Sequence, residues 1–377
     1  LDAVTALDGL LVVDFTRVLA GPLAAMTLGD LGADVIKIES PAGDDTRLWR
    51  PPADAKGRAS YHHAANRNKR SIVLDLKDAA DAATARALCD RADVVVSNFK
   101  PGTLERFELD YERVAAGNPG VVYCEISGFG EGPGRTLPGY DPLVQAVGGL
   151  MSISGPPGRP SKAGVAIVDV VTALYATVAV LAALYARPML GHGQRVTIDL
   201  LHTNLAMLAN QSAGWLASGK VPLALGNTHP SIEPFATYRT ADGELMLLAG
   251  NDAQFERLAS VLDLPELAAD ERFASNELRV RNRVELAARL EARLELRTRA
   301  EWRDLLSAAG VPAGPVQTID EAFALAESLG LDVVDETGGV RTVAFPAHLS
   351  ATPAATRLPP PDLGEHGDEI RASLSGD

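Results

Sequence analysis

Asp169 is the one charged residue between positions 163 and 186. Gly164-Val165-Ala166-Ile167-Val168 precede it and Val170-Val171 follow it, all apolar or small. Two readings fit such an acid. It can cap the N-terminus of a helix, a common role that contributes about 1 kcal/mol. It can also be a nucleophilic carboxylate near a helix start, in surroundings that keep water away. An ionised carboxylate buried among apolar groups is costly unless it is hydrogen-bonded. Backbone N–H groups at a helix N-terminus are one source of such bonds. The local sequence leaves both readings open.

A second set of candidates is cationic. Asn66-Arg67-Asn68-Lys69-Arg70 precede an apolar run and Lys77 follows it, while Lys37, Lys100 and Arg106 fall at other segment ends. A solvated face is the usual outcome for such residues. The alternative is a phosphate-bearing ligand at the loops of a parallel sheet, where open α/β folds bind. The formal net charge of −14 excludes nucleic acid and anionic membranes as partners, since both need a basic field.

Several chemistries lack their residues. There is no Walker loop, no HExxH and no Gly-x-Ser-x-Gly elbow, and the seven His show no ligand spacing, so no metal is expected. Glu39 stands where a ribose-binding acid would fall, but no Gly-x-Gly-x-x-Gly precedes it. The Gly128-Phe129-Gly130-Glu131-Gly132 loop runs on into Pro133-Gly134-Arg135 rather than a helix start. Two cysteines, Cys89 and Cys124, are too few for a disulfide framework and suit a cytoplasmic protein. Residues 1–9 lack the basic and apolar regions of a signal peptide. Residues 163–186 approach the ~20 that a membrane-spanning helix needs. Asp169 splits the run, so a buried core helix is expected and no membrane partner.

The elements that must position these residues read as strands alternating with helices. Apolar runs at residues 10–15, 34–39, 71–76, 93–97, 120–127 and 194–199 are short enough for strands. Helical spacing appears at 21–31, 79–92, 104–116, 141–150, from about 167 onward, and at 200–218. This is an α/β pattern, a mostly parallel sheet with helices on both faces. The texture changes after Gly219. A hairpin about Ala241-Asp242-Gly243 and a helical stretch at 256–309 read as a smaller α+β domain. The division is 1–218 with 331–377 for the large domain and 219–330 for the small one.

The ordered set of segments resembles the class III CoA-transferases, the family that includes formyl-CoA transferase and α-methylacyl-CoA racemase. The matching pieces begin with Val13-Asp14-Phe15-Thr16-Arg17-Val18-Leu19-Ala20-Gly21-Pro22, Gly32-Ala33-Asp34-Val35-Ile36-Lys37-Ile38-Glu39 and Asn68-Lys69-Arg70-Ser71-Ile72-Val73-Leu74-Asp75-Leu76-Lys77. Then come Asn98-Phe99-Lys100-Pro101-Gly102, Ile126-Ser127-Gly128-Phe129-Gly130 and Gly139-Tyr140-Asp141. Gly250-Asn251-Asp252, Gly310-Val311-Pro312-Ala313-Gly314 and Leu363-Gly364-Glu365-His366 complete it. No piece is specific alone; their order along the chain is.

The resemblance implies a Rossmann-like large domain holding both chain ends and an interlocked homodimer. It implies an enzyme that moves coenzyme A from an acyl-CoA to a free carboxylic acid, with Asp169 as covalent nucleophile. Coenzyme A is then a substrate, and no tightly bound cofactor is expected. Family contacts to CoA carry over to Val18, Leu19, Leu74, Lys77, Asn98, Phe99, Arg106 and Tyr140. Leu19 and Ser40 depart from the formyl-CoA transferase pattern, which has Gln and Arg there; the first makes oxalate an unsuitable acceptor and the second removes an adenine contact. Gly226-Asn227-Thr228-His229-Pro230 replaces that enzyme's glycine-run loop. The rival reading, a racemase, needs a second base where Tyr140 stands, and a phenol, ionising at about 10, serves poorly as one. A non-catalytic CoA-binding protein is the other alternative.

Overall fold

A computed structural model describes residues 4–375 of the chain; the first three residues of the 1–9 stretch lie outside the described residues. The polypeptide forms two compact units, Leu1–Leu150 with Ala163–Gly219 and Gly330–Asp377, and Met151–Lys162 with Lys220–Leu329. Residues 151–162, grouped above with the large domain, fall in the second unit.

Six parallel strands build the sheet of the first unit: β1 (Leu11–Asp14), β2 (Asp34–Glu39), β3 (Lys69–Val73), β4 (Val94–Ser97), β5 (Val122–Ser127) and β6 (Arg195–Asp199). Their order is β3-β2-β1-β4-β5-β6, with every neighbouring pair parallel. This is the doubly wound order, whose direction of winding reverses between β1 and β4, and ligands of such sheets bind at the carboxyl ends of those strands. Alternating side chains serve the two faces. Val12, Val94, Val96, Val122 and Cys124 pack toward one layer of helices, and Val13, Val95 and Tyr123 toward the other.

Four helices matter to the site: α1 (Ala20–Asp30), α2 (Ala79–Arg91), α3 (Asp141–Val147) and α4 (Ile167–Leu190). α4 is long and apolar enough to cross a membrane, but it is a core helix. Its Ala173, Ala176, Val180 and Ala183 pack with Ala20, Ala24, Ala25 and Leu28 of α1 in one hydrophobic cluster. The small side chains at the contact let the two backbones approach closely. The opposite layer holds Leu88 and Cys89 of α2 together with Ile370 near the C-terminus.

Three local expectations shift. β3 begins at Lys69, not Ser71, because Lys69 pairs in register with Val35 and its ammonium is buried against Asp14. The stretch 104–116 divides into a 3-10 turn, Leu104–Phe107, and a helix, Tyr111–Gly117, whose N-cap Asp110 accepts the Arg113 N–H. The stretch 200–218 divides at Ala209, where φ is +43°. The second unit is α+β: the hairpin Phe235–Thr240 and Gly243–Leu248, joined by Ala313–Pro315, packs on helices through Leu245, Leu247, Phe255, Leu290 and Trp302.

Candidate active site

The carboxyl ends of β1 and β4 diverge over a layer of buried charge. Lys69 Nζ donates to Asp14 at 2.8 Å and Lys37 Nζ donates to Asp44 at 3.1 Å, with all four side chains almost fully buried. Lys37 also donates to the Thr16 carbonyl, 2.8 Å. Arg67 is paired with Asp30, and Arg70 with Asp34 and Glu369. The cationic run at 66–70 and Lys37 are therefore structural and do not face a ligand. Lys69 and Arg70 open β3, and their side chains are taken up by Asp14 and by Asp34 and Glu369. Glu39 likewise holds Arg47 and accepts the Ser71 hydroxyl, so it is not a ribose ligand.

The buried ions fix the turn that follows β1. Asp44 accepts the Val18 N–H, and Asn98, just past β4, clamps Arg17 from both sides: Oδ1 accepts its N–H at 2.9 Å and Nδ2 donates to its carbonyl at 2.7 Å. Val18 is held at φ +72°, a conformation that a β-branched residue adopts only when its surroundings impose it. The strain lies where the sheet opens, as at many functional sites.

Asp169 is the third residue of α4, not its cap; Ala166 occupies that position and supplies no side-chain bond. The capping carboxylate comes from Asp141 at the start of α3. Its Oδ2 accepts the N–H of Val168 (2.8 Å) and of Asp169 (3.2 Å), and its Oδ1 accepts Gln145 Nε2 (2.6 Å). Gln145 Oε1 in turn accepts the Ala163 N–H. The helix N–H groups expected to stabilise Asp169 thus serve Asp141. Among the described residues the Asp169 carboxylate has no hydrogen-bond donor. Burial, and then the charge of Asp141, push its pKa up to about 7.

Asp169 and Asp141 line a cavity of about 410 Å³. Val18, Leu19, Asn98, Phe99 and Tyr140 line it too, so six of the nine site residues named from sequence surround one space. Lys77, Arg106 and Leu74 do not. Lys77 follows β3 and Arg106 lies in the turn after β4, both exposed on the carboxyl side of the sheet and free of ion pairs among the described residues. Leu74 is 1% exposed in the core, and its N–H donates to the Glu39 carbonyl.

Sequence reasoning gave no role to four residues. Asp141 entered only as part of a matching motif. Tyr61, edge-to-face with Trp49, has its phenol pKa raised by burial and then by the charges of Asp169, Asp141 and Asp44, though it does not line the cavity. Gly128 and Gly139 pack Cα against Cα: a Cβ on either would lie 2.4–2.5 Å from the other's Cα. They close the loop 129–138 at its base and deliver Tyr140 and Asp141 to the cavity. Neither cysteine competes as a nucleophile, since both are buried with thiols pushed up to about 12.

Comparison with known proteins shows the family and the fold. CoA-transferase family III matches residues 7–367. A succinate–glutarate CoA-transferase of Agrobacterium fabrum is 45% identical over 98% of this chain and 95% of its own length. An acetyl-CoA:oxalate CoA-transferase of Acetobacter aceti is 38% identical over 98% and 95%. The crystal structure of a CAIB/BAIF family protein from Brucella suis superposes with a TM-score of 0.92 at 44% identity, covering 98% of this chain and 99% of that one.

Proposed function

This chain belongs to CoA-transferase family III and is an enzyme that moves coenzyme A between an acyl-CoA and a carboxylic acid, and we propose that Asp169 is the carboxylate through which CoA passes. The observation that carries this reading is an acid without donors, at the mouth of a core helix, facing a cavity.

Each step exchanges one acyl bond. An Asp169 oxygen attacks the thioester carbonyl, the C–S bond breaks, and CoA leaves as the thiolate. The product is a mixed anhydride. The thiolate attacks the aspartyl carbonyl of that anhydride and releases the donor acid, leaving CoA on Asp169 as a thioester. The acceptor carboxylate then attacks the aspartyl carbonyl and expels the thiolate. The thiolate attacks the acceptor's acyl carbon, which yields the new acyl-CoA and restores the Asp169 carboxylate. Dividing the exchange through covalent intermediates lowers each barrier, and holding CoA in place makes the thiolate steps effectively unimolecular. A raised pKa suits the role, because a weakly solvated carboxylate is the stronger nucleophile once ionised.

Val18, Asn98, Phe99 and Tyr140 would flank the pantetheine arm, and Lys77 and Arg106 would meet the CoA phosphates on the same side of the sheet. No metal enters the chemistry and CoA is substrate rather than resident cofactor. We infer a homodimer, interlocked as in the family; the support is the outward row Leu174, Tyr175, Val178, Tyr185 and Met189 on α4, which a lone chain leaves exposed. The two buried thiols suit a cytoplasmic enzyme.

The Agrobacterium relative, named for succinate and glutarate, supports the substrate reading we infer: succinyl-CoA as donor and a short dicarboxylic acid such as glutarate as acceptor. Incubation with succinyl-CoA and a panel of acids, read by mass spectrometry, tests it. New CoA esters of dicarboxylic acids are expected. Esters of monocarboxylic acids alone would overturn the substrate class, and no CoA adduct on the Asp169 peptide would overturn the nucleophile.

A further inference from the structure

The cavity around Asp169 is lined by three cations, and two of them have no ion pair among the described residues. Arg17 is engaged with Asp45. Asp141 is taken up by the amides of α4. Two cations remain on the lining, Lys100 and Arg135. Among the described residues the Arg135 guanidinium has no ion pair and no hydrogen bond. Lys77 and Arg106, the groups assigned to the CoA phosphates, lie outside this cavity. Arg135 is therefore placed for a negative charge carried into the space where the acyl group reacts.

Its loop is built to hold it there. The Gly128–Gly139 contact closes residues 129–138 at the base. The Arg135 N–H donates to the Gly132 carbonyl at 3.0 Å, and the Leu137 N–H donates to Gly134 at 2.9 Å. A Cβ at Gly134 would lie 2.8 Å from the Phe129 Cβ, so the loop packs on itself. Glu131 of the same loop is ion-paired with Arg195 of β6, which also pairs with Glu125. Arg195 is saturated and Arg135, also bordering the adjoining smaller cavity, is not. The loop ends at Tyr140 and Asp141, so one closed segment carries the unpaired guanidinium and the residues beside the nucleophile.

We propose that Arg135 receives the far carboxylate of a dicarboxylic acyl group or acid while its near carbon reacts at Asp169, and so sets the preference for dicarboxylic over monocarboxylic substrates. A guanidinium offers two parallel N–H donors that match a carboxylate, a fit that an ammonium lacks. The proposal rests on Asp169 as nucleophile and gives the dicarboxylate reading a residue.

The test compares glutarate with pentanoate, an acid of equal chain length without the second carboxylate, using succinyl-CoA as common donor in wild type, Arg135→Gln and Arg135→Lys. The readout is the ratio of kcat/KM for the two acids. In Arg135→Gln the ratio is expected to fall at least tenfold, through a higher KM for glutarate, with partial recovery in Arg135→Lys. The same variant, given acetyl-CoA alone, should still form the CoA adduct at Asp169. A ratio unchanged within twofold overturns the proposal, whether both acids lose rate together, as for a CoA or loop contact, or neither does. Absence of the adduct in the wild type brings down the nucleophile reading instead, and this proposal with it.

Discussion

The backbone N–H of Asp169 donates to the Asp141 carboxylate at 3.2 Å, so the acid that holds the start of α4 is also a negative charge acting on the acid that α4 carries. One residue thereby fixes the position of the nucleophile and raises its pKa. This links the pH dependence of transfer to the geometry of a helix end.

The reactive form of Asp169 is the carboxylate. With its pKa raised to about 7 by burial and by Asp141, kcat/KM should climb as pH rises from 6 to 8 and level off above, with its midpoint near 7. Asp141→Asn removes the charge while keeping a side-chain oxygen to accept the α4 amides. Its midpoint should move to lower pH, with less than a tenfold loss of rate at pH 8. Asp141→Ala leaves two buried N–H groups without an acceptor, each costing roughly 1–3 kcal/mol, and should lose far more. An Asp141→Asn profile with an unmoved midpoint would show that Asp141 does not act on the titrating group.

The same raised pKa has a stability consequence. The folded-state value lies above the unfolded one, so folding takes up a proton at Asp169 between about pH 4 and 7. The stabilisation is complete below the unfolded pKa and disappears as pH rises through the folded one. Asp169→Asn removes this titration. Its melting temperature without ligand should match the wild type near pH 4 and exceed it above pH 7, reflecting a stability gain on the order of 2–4 kcal/mol at about 1.4 kcal/mol per pKa unit. Equal melting curves at pH 8 would mean that the apolar setting does not strain the ionised acid.

How far this site was legible before folding depends on the range of each interaction. The strands at 34–39 and 94–97 were plain as bounded apolar runs, and Asp169 stood out as the single acid in an apolar stretch. Its relation to the helix was not legible. A local reading makes it a cap, yet the capping carboxylate comes from Asp141, 27 residues upstream in the sequence separation of that bond. The charged run at 66–70 is open to a solvated face or a ligand face in sequence, because sequence does not say which distant acid a cation meets; Lys69 is buried on Asp14. The positive φ of Val18 leaves no trace in its residue type, since valine is a poor choice for that conformation.

Among the described residues Lys77 and Arg106 have no ion pair, and both are exposed on the carboxyl side of the sheet, where CoA phosphates are proposed to lie. Replacing either by Ala should weaken acyl-CoA binding about tenfold, with KM for succinyl-CoA rising more than kcat falls. Added salt should weaken wild-type binding, and each variant should show a shallower salt dependence, because screening acts on exposed charge pairs. Isothermal titration with CoA at two ionic strengths measures both effects. Unchanged affinity in both variants would move the phosphates elsewhere.

Transfer and racemisation differ in what they ask of the residues beside Asp169. A racemase removes the hydrogen on the carbon next to the thioester and returns it on the other face, so it needs a base on each side. Asp169, with a pKa of about 7, could be one. The position for the second holds Tyr140, 62% exposed on the cavity rim, a hydroxyl that donates rather than a carboxylate or imidazole base. The acid next to it, Asp141, has both carboxylate oxygens engaged by the N–H groups of Val168, Asp169 and Gln145. Transfer needs one nucleophile and a donor to orient the thioester, which a tyrosine hydroxyl supplies. Turnover of a branched acyl-CoA in deuterated water should therefore show no α-hydrogen exchange. Acyl-CoA given without an acceptor should leave a CoA adduct on the Asp169 peptide, cleaved by hydroxylamine and absent in Asp169→Ala, whose transfer rate should drop below a few per cent of wild type. Fast α-deuterium uptake without an adduct would reverse the assignment, because that pattern requires Asp169 to act as a base and not as a nucleophile.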